Sequence, residues 1–370
     1  MKKSLIAIAA LAATSAFAQS SVTISGVADV GFQYNNSTVS GAGTGNNAGA
    51  NKLQLGAGNN NRIIFSGVED LGGGMAATFA FQLRLNPVRG TEDGGANLIG
   101  NQANNTTPIL TNTAQSTSRP LFQGESTVGL RSPYGSVRLG RLLPANQQLN
   151  GGTIDPWGVS TVGGNPYQTG FSSDYVAGGE GRVGNQIMYS TPNFSGFAAH
   201  ISLGFDKGPS DKSYSSLAAG YSNGPLNAMI GTEANRFGDT LLNIGANYNF
   251  GVAKAYVGYG SVKGGSAVDR AGSTFLAGAT APQVVIGGKV NIISFGANIP
   301  FGAATARVGY ASLDGAGGAA GNSKESKLSL GVNYALSKRT AIYSDIANST
   351  RKSAALSNVT QFDLGIAHSF

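Results

Sequence analysis

The chain contains no cysteine, so neither a disulfide nor a thiolate metal site can hold it together. Many small secreted domains are stapled by disulfides; a chain of 370 residues without them has to rely on a large sheet. Histidine is nearly missing too. His200 and His368 are the only two, at no metal-ligand spacing to a partner, and no metal is expected. No stretch reaches about 18 apolar residues, which excludes helical membrane spans. Charge is sparse, with 25 Lys+Arg against 18 Asp+Glu spread along the chain. Nucleic-acid binding would want clustered basic residues and is not expected.

Catalytic motifs are missing as well. Gly220-Tyr221-Ser222-Asn223-Gly224 fits the G-x-S-x-G string, but a nucleophile elbow needs a strand-to-helix turn and a base. This serine falls at a strand-to-strand turn. The runs Gly41-Ala42-Gly43 and Gly72-Gly73-Gly74 precede no helix, so they cradle no phosphate. The expectation is a protein that is not an enzyme, with no catalytic residue and no cofactor.

What is present begins at the N-terminus. Lys2 and Lys3, the apolar run Leu5 to Ala13 and the small-residue site Ala16-Phe17-Ala18 read as a secretory signal peptide over 1–18. The mature chain, 19–370, then carries 23 Lys+Arg against 18 Asp+Glu, a net charge of about +5. Glycine is abundant, 56 residues with no collagen period. Mean hydropathy is −0.04, as expected where lipid-facing and lumen-facing residues alternate and cancel.

Period-two alternation runs through the chain. Val22, Ile24, Ala28, Val30 and Phe32 share one face of the first segment, opposite Thr23, Ser25, Asp29 and Gln33. Ala77, Phe79, Phe81 and Leu83 alternate with Thr78, Gln82 and Arg84. The pattern predicts sixteen strands, the last being Phe362 to Phe370. Short turns fall at 69–74, 132–135, 191–196, 223–226, 250–252, 300–303 and 336–340, and long connections near 35–60, 87–118, 142–181, 263–288 and 313–325. Short periplasmic turns and long external loops characterise transmembrane β-barrels. The expected fold is all-β, a 16-stranded antiparallel transmembrane barrel with both termini periplasmic. A barrel of that size is too wide for side chains to fill, so the lumen holds water.

The chain ends a strand on Phe370, and a terminal aromatic suits both the membrane interface and barrel closure. This ending resembles the C-terminal signature of Gram-negative outer-membrane barrels, which the barrel-assembly machinery reads. Ser21 to Asp29, Arg62-Ile63-Ile64-Phe65-Ser66-Gly67-Val68-Glu69-Asp70-Leu71-Gly72-Gly73-Gly74, Val128-Gly129-Leu130 and Tyr134-Gly135-Ser136-Val137-Arg138-Leu139-Gly140-Arg141 occur in order. Together they resemble the trimeric general porins, most of all those of β-proteobacteria.

The resemblance implies an outer-membrane homotrimer, in contact with lipid and lipopolysaccharide, for passive diffusion of small hydrophilic solutes and ions. It also implies that the third long loop, 142–181, folds inward as a constriction loop. Arg62, Arg141 and Arg182 match the family's wall arginines, with Asp155 and Asp174 as candidate opposing acids. Parity independently places Arg62 and Arg182 inward; Arg141 shares the outward parity of Val137 and Leu139, so only a break in alternation could re-aim it. Gly124 departs from the family, many of whose members carry Arg there. Inward parity also covers Arg84, Arg131, Arg138, Lys254, Arg307 and Lys327, against Asp29, Glu125, Asp206, Glu233, Asp345 and Asp363. The small positive excess argues weak anion preference. Two other readings stay open: a substrate-specific channel, and a barrel acting mainly as adhesin or receptor through its loops.

Overall fold

The computed structural model describes residues 21–36, 52–58, 61–88, 90–92, 121–122, 124–158, 160–164, 182–205, 212–235, 238–264, 288–316, 322–352 and 358–370. The segment 1–18, Asp174, Asp206 and most of the connections 87–118 and 263–288 lie outside them.

Sixteen antiparallel strands form one closed wall. They are β1 (Ser21–Asn35), β2 (Arg62–Gly72), β3 (Met75–Asn86), β4 (Ser126–Ser132), β5 (Gly135–Leu142), β6 (Val183–Ser190), β7 (Phe197–Gly204) and β8 (Tyr214–Asn223). Then come β9 (Leu226–Ala234), β10 (Thr240–Asn249), β11 (Lys254–Lys263), β12 (Lys289–Phe301), β13 (Ala304–Ala316), β14 (Asn322–Ala335), β15 (Thr340–Lys352) and β16 (Val359–Ser369). Each pairs with its chain neighbours, and β16 pairs back onto β1, from Val27 opposite Ser369 to Asn35 opposite Gln361. Closure removes both edges, so the backbone of the wall is satisfied without water, as a bilayer requires.

Phe370 completes that seam. Its N–H donates to the Gly26 carbonyl at 3.1 Å, and the Gly26 N–H donates to the Phe370 carbonyl at 3.0 Å. Its ring lies directly over Gly26, where any side chain would collide with it. The outward residues that alternation picked out, Val22, Ile24, Phe32, Val128, Ile230, Phe295 and Ile366 among them, are exposed on the outer surface. Exposed apolar side chains in every strand make sense only against lipid. Tyr134, Phe194, Phe197, Phe250, Phe301, Tyr334 and Phe370 are exposed at or beside the short turns, an aromatic girdle at that end.

Two connections are shorter than the sequence suggested. The region 313–325 is mostly strand, with Leu313 opposite Glu325 and Ala316 opposite Asn322. The pair is carried past the bilayer by polar partners, Lys324 Nζ lying 3.1 Å from Asp314. The connection 35–60 holds a further strand segment, Lys52–Gly56, paired with the upper part of β1. It continues β2 on the same partner after an interruption. Asn61 holds that interruption closed: its amide donates to the Asp29 carbonyl at 3.0 Å and accepts from the Asp29 N–H.

Candidate functional site

The site is built where the chain leaves β5. Gly140 takes φ +124°, a conformation that side-chain-bearing residues avoid. The β5–β6 register slips between Gly140 and Leu142, a bulge of the kind that re-aims side chains. Leu142 is fully buried as a result. Arg141 reaches across the base of the loop, and its Nη1 donates to the Arg182 carbonyl at 3.3 Å.

Beyond the bulge the chain forms a helix, α1 (Ala145–Ile154). Its sequence, with two glycines and no apolar stripe, does not announce a helix. Pro144 provides no side-chain cap. The wall does so instead: Ser202 of β7 accepts from the Ala145 N–H at 3.2 Å, and Ser216 of β8 accepts from the Asn146 N–H at 2.9 Å. At the other end Asn247 of β10 donates to the carbonyls of Gly152 and Thr153. Free helix-end groups of this kind need partners when water is excluded.

The loop then continues around the inner wall, held strand by strand. Asn298 on β12 donates to the Pro156 carbonyl at 3.2 Å. The Trp157 indole N–H donates to Asp345 on β15 at 2.7 Å. The Thr161 N–H donates to the Gly58 carbonyl at 2.7 Å, at the interruption of β2, and the Val162 N–H to Asp363 on β16 at 2.9 Å. Lys327 on β14 donates to the Gly164 carbonyl at 2.6 Å. Asp29 is taken up in the same zone, accepting from the Gly58 N–H and from the Tyr343 hydroxyl. Residues 145–158 and 160–164 of the third loop therefore lie inside the barrel, against β7 to β16.

This changes the reading of the acids. Asp29, Asp345 and Asp363 are inward by parity, as expected, but all three are buried, Asp345 and Asp363 as anchors of the loop. Glu233 is buried too. Of the candidate loop acids, Asp155 is buried at the end of α1, next to Pro156, whose carbonyl accepts from Asn298 on β12. That places it well around the barrel from β2 and β3.

The stretch of wall from the start of β2 to β6 carries the arginines. Arg62 stands directly opposite Arg84 in the β2–β3 ladder. Arg182 Nη2 donates to Gln82 Oε1 at 3.4 Å, and Gln82 is the next inward residue of β3. The Gln82 amide lies over Gly124, so a side chain at 124 would displace it. Arg84 is buried and Arg62 half-buried. Lower on this wall Arg138 pairs with Glu125 at 3.2 Å, each side chain 27% exposed. A pair that open to water is screened and largely cancels its own field. Arg131 is exposed at the rim by the 132–135 turn. Among the described residues, the structure thus gathers Arg62, Arg84 and Arg182 around Gln82, and sets Arg307 and Asp155 elsewhere.

A family model described as a Gram-negative porin matches residues 4–354. Outer membrane porin protein 32 of Delftia acidovorans is 33% identical, over 96% of this chain and 91% of its own length. An outer membrane porin protein of Bordetella pertussis is 26% identical over 100% of both chains. Among solved structures, an anion-selective porin from Comamonas acidovorans superimposes with a TM-score of 0.72 at 28% identity, covering 95% of this chain and 100% of that one.

Proposed function

The chain belongs to the Gram-negative porin family, an outer-membrane channel for passive diffusion, and we propose that its pore weakly favours small anions through Arg62 and Arg182. The observation that carries this is the division of the lumen. One side is covered by the loop, with Asp345 and Asp363 buried beneath it. On the other side Arg62 and Arg182 stand on the wall around Gln82. Guanidinium groups stay charged at any working pH, and a cluster of fixed cations in a narrow passage raises the local anion concentration. Arg141, at the base of the loop, adds to the same end. Arg138 and Glu125 offset each other lower on the wall. Asp174 is kept as a candidate acid facing the arginines. The chain acts as a conduit for hydrophilic solutes and not as a catalyst.

Vesicle swelling checks this reading. Liposomes carrying the protein should swell in neutral sugars and faster still in anionic sugar acids of matched size than in cationic amino sugars. Equal rates for both charged classes would remove the arginines from the argument.

We propose further that three copies assemble. On the outer face of β2 and β3, Phe65, Phe79 and Phe81 are half-buried, unlike the exposed outward residues of most other strands. The Phe79 and Phe81 ring centroids are 5.6 Å apart, and Phe122 lies 5.0 Å from Phe81. A continuous aromatic surface of this kind suits barrel-to-barrel contact. The rest of the outer face meets lipid and lipopolysaccharide. Native electrophoresis in mild detergent should give a trimer that heating converts to monomer; a monomer before heating would count against it.

A further inference from the structure

Glycine weakens a strand interior, because it adds backbone entropy and no packing. Yet inward positions of five strands carry it: Gly220 on β8, Gly231 on β9, Gly245 on β10, Gly296 on β12 and Gly309 on β13. Each of these faces a side chain of the inserted loop. Leu149 lies over Gly220, Asn146 over Gly231, Ile154 over Gly245, Pro156 over Gly296 and Trp157 over Gly309. A Cβ at Gly309 would stand 2.6 Å from the nearest ring carbon of Trp157, with no backbone atom among its nearest neighbours. On its other side the indole meets Gly163 of the loop itself. Trp157, the only tryptophan in the chain, is 5% exposed between two glycines, its N–H held by Asp345.

We propose that these wall glycines are positioning residues that set the bore of the pore, with Gly309 under Trp157 as the principal seat. The hydrogen bonds named above hold the loop along the wall. Apart from the backbone bond between Thr161 and Gly58, they run to wall side chains and do not fix how far the loop stands off, because a side chain such as that of Asn298 can follow a displaced carbonyl. The missing Cβ atoms do fix it. They let the loop lie against the backbone of β8 to β13 and keep its bulk out of the water-filled passage. Any side chain at Gly309 drives the indole away from the wall, toward the arginines.

The inference rests on the channel reading, and the test reads both separately. Gly309→Ala and Gly245→Ala are each made in the wild-type chain and in the chain trimmed above them, Trp157→Ala and Ile154→Ala respectively. Folding of every variant is scored by the heat-dependent mobility shift of the closed barrel. Single-channel conductance should fall in Gly309→Ala and in Gly245→Ala. It should be insensitive to the same substitution once the overlying side chain is gone. In Gly309→Ala, Trp157 should also become accessible to a collisional quencher and its emission should shift to the red. A folded Gly309→Ala barrel with unchanged conductance and unchanged quenching overturns the proposal. So does a conductance loss that persists in the Trp157→Ala background, because glycine would then matter for the strand alone. If the wild type conducts nothing, the channel reading fails, while the quenching arm still decides where Trp157 sits.

Discussion

Replacing both Arg62 and Arg182 with serine is expected to move permeability from anions toward cations. The two substitutions remove two of the three guanidiniums grouped around Gln82, and the nearby ion pair, Arg138 with Glu125, contributes little net charge. In a passage less polar than bulk water a fixed charge is worth on the order of 1 kcal/mol to a passing ion, about a fivefold effect on a permeability ratio. The shift should shrink as salt rises, since the screening length falls from about 30 Å at 0.01 M to about 3 Å at 1 M. Conductance should change less than selectivity, because serine also widens the passage. A double variant that keeps the wild-type reversal potential at low salt would show that these arginines do not line the constriction.

Deleting Phe370 is expected to lower the yield of folded barrel sharply, while any barrel that does fold conducts normally. The terminal residue supplies both hydrogen bonds of the last pair at the β1–β16 seam, and its ring covers Gly26 on the outer face. The seam joins the two ends of the barrel sequence, so it closes late and at the highest loop-closure cost. The remaining chain would end on Ser369, without the aromatic that we propose the barrel-assembly machinery reads. Heat-dependent mobility in outer-membrane fractions measures the effect. Normal amounts of folded deletion variant would contradict it.

Much of the wall was legible because a lipid-facing strand obeys a strict period. Val22 to Phe32 and Phe362 to Phe370 alternate so regularly that face and pairing follow directly. The conflict at Arg141 was legible too: motif and parity disagreed, and a bulge at Gly140 lies there. Other features lie beyond periodicity. The helix α1 is capped by Ser202, Ser216 and Asn247, which stand 57, 70 and 94 positions along the chain from the groups they bond. Alternation reports which face such residues occupy and nothing of a partner that distant. The interruption of β2 depends on the Asn61 amide, in a Gly/Asn-rich stretch with no alternating pattern. Parity placed Asp345 and Asp363 inward, yet parity cannot separate residues facing water from residues beneath an inserted loop. That distinction sets the charge of the pore, and only the course of the loop supplies it.

The reversal potential of the wild-type channel tests the account most directly. The purified protein is inserted into a planar bilayer separating concentrated from dilute salt, and the zero-current potential is read. The account predicts resolved, ohmic channel steps and a dilute compartment that becomes negative, by less than an ideal anion-only pore would give. A positive dilute compartment, or a bilayer that stays silent with folded protein inserted, would contradict it.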